Sequence, residues 1–307
     1  EWDVDVDDAS AARYRALPGA LGERLRSVLK DTQYGVQMAA ENGRCPMWRE
    51  DGLCRIQAEL GEAALCDVCR EFPRLRHDYG DFAELGLELS CPEAARLILT
   101  GPEGPHVFFT APGGEAPEYP REDMEILKQS RDTALSLLKS FPAKEALTLL
   151  LLYGARAQLW LDTGEQPEFD ARAALEAAGS LAGEPDWAGV LEFFRNLEIL
   201  TPRWQQLLCG PIHPGLPEGT LRLAGYLVER YWLQAISDFD LMGRVKFVVI
   251  ACLLVGALPG RFPENAQLFS KEIENDADNV DAILDAAQCC HAFADIRLLG
   301  MLLGTRE

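Results

Sequence analysis

Five cysteines, Cys45, Cys54, Cys66, Cys69 and Cys91, fall within 47 residues of a 307-residue chain that holds nine in all. The run Cys45-Pro46-Met47-Trp48-Arg49-Glu50-Asp51-Gly52-Leu53-Cys54 sets two thiols at the two ends of a turn. Cys66-Asp67-Val68-Cys69 is a C-x-x-C on a short predicted helix, and Cys91 stands just before Pro92, a good first-turn residue. Thiolates brought from loops and helix ends can converge on one centre, as structural zinc and iron–sulfur sites require. A helix N-terminus beside Cys91 would favour its metal-binding thiolate. A secreted disulfide scaffold would be smaller and more evenly studded, so the clustering points to metal. Cys209, Cys252, Cys289 and Cys290 are scattered through helical pattern and read as ordinary core cysteine.

The elements that must position these thiols read as follows. Residues 8–30 have helical spacing (Ala12, Leu17, Leu21, Leu25, Leu29), with Asp8 or Ser10 as cap. From 33 to 56 short alternating stretches surround Glu41-Asn42-Gly43 and Glu50-Asp51-Gly52, which predicts hairpin-like structure. A short helix over 58–70 is interrupted by Gly61, residues 79–89 alternate as a strand, and a helix runs from Pro92 to about Leu99. Residues 101–120 hold five prolines and four glycines and read as a connector. Beyond it the period is helical at roughly 121–140, 142–162, 168–180, 185–200, 218–236, 239–257, 264–275 and 278–303. The expected fold is mainly α: a Cys-rich module over 1–100 with short hairpin-like strands, the connector, and a helical domain over 121–307.

Composition narrows the function classes. The 29 basic residues against 49 acidic ones leave a net charge of −20, which repels nucleic acid and attracts basic surfaces such as a lysine-bearing protein. The longest apolar run, Phe247 to Gly260, has 14 residues, too few for the roughly 20 a bilayer needs, and predicts a buried core helix. The acidic start Glu1-Trp2-Asp3-Val4-Asp5 is unlike a signal peptide, so a cytoplasmic location is expected. There is no initiator Met, which favours a chain that continues upstream.

The stretch GRCPMWREDGLCRIQAELGEAALCDVCREFPR (43–74), followed by ELSCPEAARLIL (88–99), resembles the signature of the flagellin lysine-N-methylases. More distantly it is similar to the small CxxCC-type metal-binding proteins, which share the element seen here as Cys69-Arg70-Glu71-Phe72-Pro73. RYWLQAISDFDLMGRVKF (230–247) and KEIENDADNVDAIL (271–284) resemble the closing helices of the methylase family. That family's pattern opens with further cysteines, including an adjacent pair, ahead of a segment like Trp2-Asp3-Val4-Asp5-Val6; they are absent here. The resemblance implies an iron-sulfur cluster of the 4Fe-4S type held by Cys45, Cys54, Cys69 and Cys91, with Cys66 matching less closely and ranked behind them. Zinc is the alternative. The resemblance further implies a protein-lysine N-methyltransferase acting on flagellin or a related surface protein, with S-adenosylmethionine as candidate donor. A non-enzymatic metal-binding or metal-delivery protein is the rival reading.

No catalytic residue follows from the sequence. Gly256-Ala257-Leu258-Pro259-Gly260 ends a helix rather than a strand, so it is no Rossmann donor turn, and the C-x3-C-x2-C of radical enzymes is missing. His77, His106, His213 and His291 are dispersed, with His77 nearest the cysteines as a candidate outer partner. Arg70 and Arg74 could complement thiolate charge. Glu272, Glu274 and Asn279 could face a substrate lysine or serve as caps, and Trp160, Trp187, Trp204 and Trp232 are expected in the core.

Overall fold

The computed structural model describes residues 3–101, 109–114 and 116–305; Trp2, Pro102, Gly104, Pro105 and His106 lie outside them. The chain is mainly α, as its periodicity predicts, and divides into two compact units, Glu1–Leu75 and Arg76–Glu307.

The first unit starts with β1 (Val4–Val6), α1 (Asp8–Ala16) and α2 (Gly19–Val28), then β2 (Leu29–Thr32) and β3 (Gly35–Met38). The single helix expected over 8–30 is two, because Pro18 has no N–H to continue α1 and instead opens α2. The cap of α1 is Asp7, one residue before the expected position. The three strands form an antiparallel sheet in the order β1-β3-β2, with Val4 facing Met38 and Val6 facing Val36. The hairpin-like texture of 41–54 appears as two tight turns, closed by the bridges Glu41 to Arg44 and Trp48 to Cys54. Asn42, Gly43 and Gly52 take the positive φ these turns need (52°, 71° and 82°). Next come α3 (Arg55–Leu60), a 3-10 turn (Glu62–Ala64) and α4 (Asp67–Glu71), the first two parted at Gly61 (φ 85°). A small apolar core of Val6, Tyr14, Leu25, Met38, Met47 and Ile56 holds the unit together, and Cys66 is buried in it.

The boundary between units falls inside β4 (Arg74–Asp78), which is followed by β5 (Phe82–Leu87), α5 (Pro92–Thr100) and β6 (Phe109–Pro112). The second sheet runs β4-β5-β6, with Phe82 opposite Pro112 and Leu85 opposite Phe109. A strand within the expected connector was not foreseen: Phe109–Pro112 has little alternation of its own and pairs because β5 offers an edge.

The helical body continues with α6 (Arg121–Ser140), α7 (Ala143–Thr163), α8 (Ala171–Leu181), α9 (Trp187–Arg195), α10 (Pro202–Cys209) and α11 (Thr220–Tyr231), the last running into a 3-10 turn (Trp232–Ile236). It closes with α12 (Leu241–Ala257), α13 (Phe262–Phe269), a π-helical turn (Ser270–Glu274), α14 (Ala277–Cys289), a 3-10 turn (His291–Phe293) and α15 (Asp295–Gly304). Side-chain oxygens of Asp170, Thr201, Asp240 and Asp276 accept backbone N–H groups at the starts of α8, α10, α12 and α14. The apolar run Phe247–Gly260 forms most of α12, which is buried nearly all round against α7, α11 and α14. Trp160, Trp204 and Trp232 are core residues and Trp187 packs at its edge.

Helices α7 and α12 approach closely at Gly154, where an added Cβ would stand 2.6 Å and 2.9 Å from the two Val245 methyls. Val245 is fully buried and branched at Cβ, so it cannot swing away. Gly154→Ala is therefore expected to destabilise the helical body by about 1–3 kcal/mol through overpacking, despite the better helix propensity of alanine. A denaturant melt equal to or better than wild type would show that the two helices separate without cost.

Buried charge is paired in the second unit. Both Glu84 oxygens accept from Arg131, at 2.7 and 3.0 Å. Nearby Glu229 is buried, and its pKa is pushed up from 4.5 to about 8, first by burial and then by Glu84, against the pull of Arg131 and Lys139. The folded chain holds this proton more tightly than the unfolded chain. That contribution to stability is whole below the ordinary value of 4.5 and is lost as pH rises through about 8. Glu229→Gln should flatten this part of the stability–pH curve and melt higher than wild type above that pH; parallel curves for the two proteins would sink the assignment.

Candidate metal centre and a buried polar network

Four of the five clustered cysteines sit in the first unit, and the hydrogen bonds that place them are local. Cys45 is fixed by the turn it opens: its carbonyl accepts from Trp48 N (2.9 Å), and Met47 O accepts from Arg55 N (2.8 Å) at the start of α3. Arg24 on α2 clamps the same turn, donating to Pro46 O from Nε (3.0 Å) and Nη2 (2.8 Å) and to Glu41 (3.0 Å). Cys54 stands at the N-cap of α3 and Cys66 at the N-cap of α4. Asp7 ties α4 back to the start of the chain. One of its carboxylate oxygens accepts from Ser10 N (2.8 Å) and the other from Asp67 N (3.0 Å), 60 residues on. Those N–H donors hold the Asp7 carboxyl down at about 2. Tyr14, buried in the unit's core, donates to Ala64 O (2.7 Å) and so fixes the approach to Cys66.

The electrostatics show that the four thiols are neighbours. The Cys69 thiol donates to Cys66 sulfur and, opposing burial, draws the Cys66 thiol down to about 6. The same bond, burial and the charges of Cys66, Cys45 and Cys54 raise Cys69. Burial raises Cys45, with Cys54 and Cys66 adding to the rise. All four are free thiols; Cys66 is buried, Cys45 and Cys54 are half-buried, and Cys69 is exposed. Sulfur donors without a carboxylate among them suit a thiophilic centre, zinc or iron–sulfur, rather than calcium or magnesium. The chemistry of the donor set thus fits such a group. Among the described residues no three His, Cys, Asp or Glu side chains already stand around one ion position, so the thiols share a neighbourhood and not yet a coordination sphere.

Cys91 belongs to the second unit. It occupies the N-cap of α5, its carbonyl accepts from Ala95 N (2.9 Å), and its side chain packs half-buried against the helical core. Arg70 pairs with Asp67 within α4, and Arg74 donates to Arg70 O (2.8 Å), so both have local structural partners. The cysteines read as ordinary core divide: Cys252 is buried and Cys290 half-buried, but Cys209 and Cys289 are exposed at the last turns of α10 and α14.

The closing motif of the second unit separates by role. Glu272 bonds Leu200 N (2.8 Å) and the Thr201 hydroxyl, and Asn279 bridges Glu198 O (3.0 Å) and Glu272 O (2.9 Å). Both are therefore structural ties that seat the start of α10. Glu274 differs. The π-turn, a feature often found at functional positions, carries it into the core. There Glu274 Oε1 meets Arg230 Nη1 at 3.1 Å, and it accepts from Tyr231 OH at 3.2 Å and Tyr226 OH at 3.4 Å. Glu274 Oε2 and Arg230 Nε are buried without a hydrogen-bond partner among the described residues. Glu88 stands 4.0 Å from Arg230 at the edge of this network. Burial works against the Arg230 charge, yet Glu274 and the two tyrosines outweigh it and raise its pKa. His77 is half-buried, and burial, then Arg230, lower its pKa. Arg230, Tyr226 and Tyr231 were not singled out in the sequence, since charged and hydroxylated residues of an amphipathic helix are ordinarily taken as its solvent face.

The parts thus define a small thiol-rich module and a helical body with an ionic network at its centre. No family model matches the sequence, and no solved structure matches it. Over 112 residues, 33% of the chain, it is 31% identical to the flagellar biosynthetic protein FliU of Salmonella muenchen, covering 64% of that protein. Over the same length it is 30% identical to the lysine-N-methylases of Salmonella typhimurium and Salmonella choleraesuis, covering 27% of each. The match spans less than two thirds of each of these relatives. No described helix is long and apolar enough to cross a membrane.

Removing the double cap gives a direct test of how the module is built. Asp7→Ala is expected to cost the first unit about 1–2 kcal/mol, since it strips the N-cap of α1 and the hold on α4 together. Hydrogen exchange at Ser10 and Asp67 should quicken together; acceleration at Ser10 alone would show that α4 is held by other means.

Proposed function

We propose that the chain is a protein-lysine N-methylase acting in the cytoplasm on flagellin or a related surface protein, and that its thiols carry an iron-sulfur cluster of the 4Fe-4S type. The observation that carries the cluster is that Cys66 is buried in the core of the first unit with Cys45 and Cys54 packed against that core, and that Cys69 follows three residues later on α4. The similarity over a third of the chain to proteins named lysine-N-methylase supports the activity. The net charge of −20 supports a basic, lysine-bearing partner. Cys45, Cys54, Cys66 and Cys69 are the ligands favoured by placement, with Cys91 a further candidate from its motif. A thiolate-bound cluster supplies an electron-transfer or Lewis-acid centre. In the transfer itself the neutral lysine nitrogen attacks the methyl carbon of the sulfonium donor, the carbon–sulfur bond breaks toward sulfur, and a proton leaves the nitrogen.

The second reading, a non-enzymatic metal-binding or metal-delivery module, is favoured by one observation. The exposed thiol Cys69 shares its unit with the exposed apolar side chains Trp48, Leu53, Val68 and Phe72, such as a metal hand-off surface would need. Anaerobically purified protein decides between them when analysed for iron and sulfide and then incubated with S-adenosylmethionine and flagellin. About four irons and four sulfides per chain, with methyl mass appearing on flagellin lysines, is the expected result. One colourless zinc and no transfer would replace the first reading with the second.

A further inference from the structure

The segment Gly256-Ala257-Leu258-Pro259-Gly260, which is no Rossmann turn, borders a groove of about 480 Å³ in the second unit. The groove lies between the end of α12, the start of α13 and residues 213–217, which lead towards α11. That loop is tied down, since His213 N donates to Ala257 O at 2.8 Å. Leu216, Pro217, Val255, Leu258 and Phe262 make apolar walls, and the polar side chains that line the groove are Asn265 and His213. Asn265 is only 4% exposed, yet its side chain makes a single hydrogen bond among the described residues, from Nδ2 to Leu258 O at 3.2 Å. That bond orients the carboxamide and leaves Oδ1 and the second N–H without a partner among the described residues. Gly260, at φ 116°, has no side chain to cover it. The position a Cβ would take there is 3.4 Å from Asn265 Oδ1 and 3.9 Å from Nη2 of Arg203. One spot beside the groove is thus within reach of both an acceptor and a donor.

We propose that this groove binds the adenine ring of a nucleoside-derived ligand, with the amino edge of the ring at Gly260 between Asn265 and Arg203. A buried carboxamide with an acceptor and a donor left over costs free energy until a ligand completes it. The adenine amino group and the ring nitrogen beside it offer the matching donor and acceptor in one plane, the pairing by which asparagine reads adenine in DNA. The amino group donates to Asn265 Oδ1, and the ring nitrogen accepts from the second Asn265 N–H or from Arg203. The faces of the ring then lie against the apolar walls. Few placed polar groups in an apolar groove of this volume are what a cofactor-sized molecule requires. An extended peptide would instead bring a backbone donor and acceptor at nearly every residue, more than Asn265 and His213 can satisfy. The inference goes beyond the methylase reading; on that reading the ring belongs to S-adenosylmethionine.

The test is calorimetric titration of the full chain with adenosine and with purine riboside, which is adenosine without the amino group. Wild type is expected to bind adenosine roughly tenfold more tightly than purine riboside, as loss of one such pairing should cost. Asn265→Leu should bind adenosine no better than purine riboside. Arg203→Gln, at an exposed position, should weaken both by about threefold. Equal affinities of wild type for the two nucleosides would overturn the proposal, and that comparison needs no variant to fold. So would wild-type adenosine affinity in Asn265→Leu, or no binding of adenosine, S-adenosylhomocysteine or adenosine monophosphate to wild type. The last two ligands separate the sources of the ring. Tighter binding of S-adenosylhomocysteine makes the groove the donor site of the methylase. Tighter binding of the monophosphate retains the groove for a nucleotide and removes it from methyl transfer. Methyl transfer to flagellin, scored separately, keeps the two claims apart: transfer without adenine binding retains the methylase and discards the groove.

Discussion

On the proposed metal-binding reading, Cys66→Ser, made in the full chain, is expected to lose the metal and to loosen the whole first unit while leaving the helical body folded. The expectation rests on placement. Cys66 is buried in the core of that unit, bonded to Cys69 and within electrostatic reach of Cys45. Substituting one ligand of a four-thiolate centre forfeits much of a binding energy that reaches about 10–16 kcal/mol for structural zinc. A core as small as that of Glu1–Leu75 rarely supplies more than about 3–5 kcal/mol by itself, so loss of the centre should unfold it. The result would be read as metal stoichiometry together with hydrogen-exchange protection in α1, α2 and β3. Full metal content in Cys66→Ser would remove Cys66 from the ligands and restore the lower rank its motif suggests. The metal content of Cys91→Ser reports, independently, whether Cys91 is a ligand at all.

Arg230→Met should destabilise the second unit by about 3–5 kcal/mol, the usual cost of leaving a buried carboxylate without its counter-charge. Glu274 is fully buried and its Oε1 takes an ion pair from Arg230 and two phenol hydrogen bonds, so no solvent can replace the guanidinium. For a body of this size about 2–4 °C accompanies each kcal/mol, and a fall on the order of 10 °C is expected. The double variant Arg230→Met with Glu274→Gln should recover part of the loss, because the residual group is then neutral. A single variant within 1 kcal/mol of wild type would mean that the phenols alone satisfy Glu274.

Much of the helical body is legible in the sequence because its signals are local. Proline and glycine mark the ends of α6 and α7, and the apolar run from Phe247 announces the burial of the last three turns of α12. What escapes depends on partners far along the chain. Helix α10 is only eight residues long and begins with Pro202, which reads as a break although it is a favourable first-turn residue. The closing helix expected over 278–303 is interrupted at Cys290 to Ala294 with no proline or glycine to announce it. Cys66 lies in the core of the first unit, a placement that the spacing of the cysteines does not show. Glu272, Asn279 and Glu274 look alike as polar residues of one motif. Only their partners separate two backbone ties from a buried ion pair.

The bond from Asp7 to Asp67 also sets a timetable for synthesis. It cannot form until α4 has emerged from the ribosome, but every other tie that seats the four thiols of the first unit is complete by then. At about 5–20 residues per second, the rest of the chain up to Glu307 occupies on the order of ten seconds more. The nascent thiol module therefore has time to fold before the helical body exists. On the proposed metal-binding reading, slowing translation once Leu75 has left the ribosome should raise the yield of loaded protein, whereas slowing it before α4 has emerged should not.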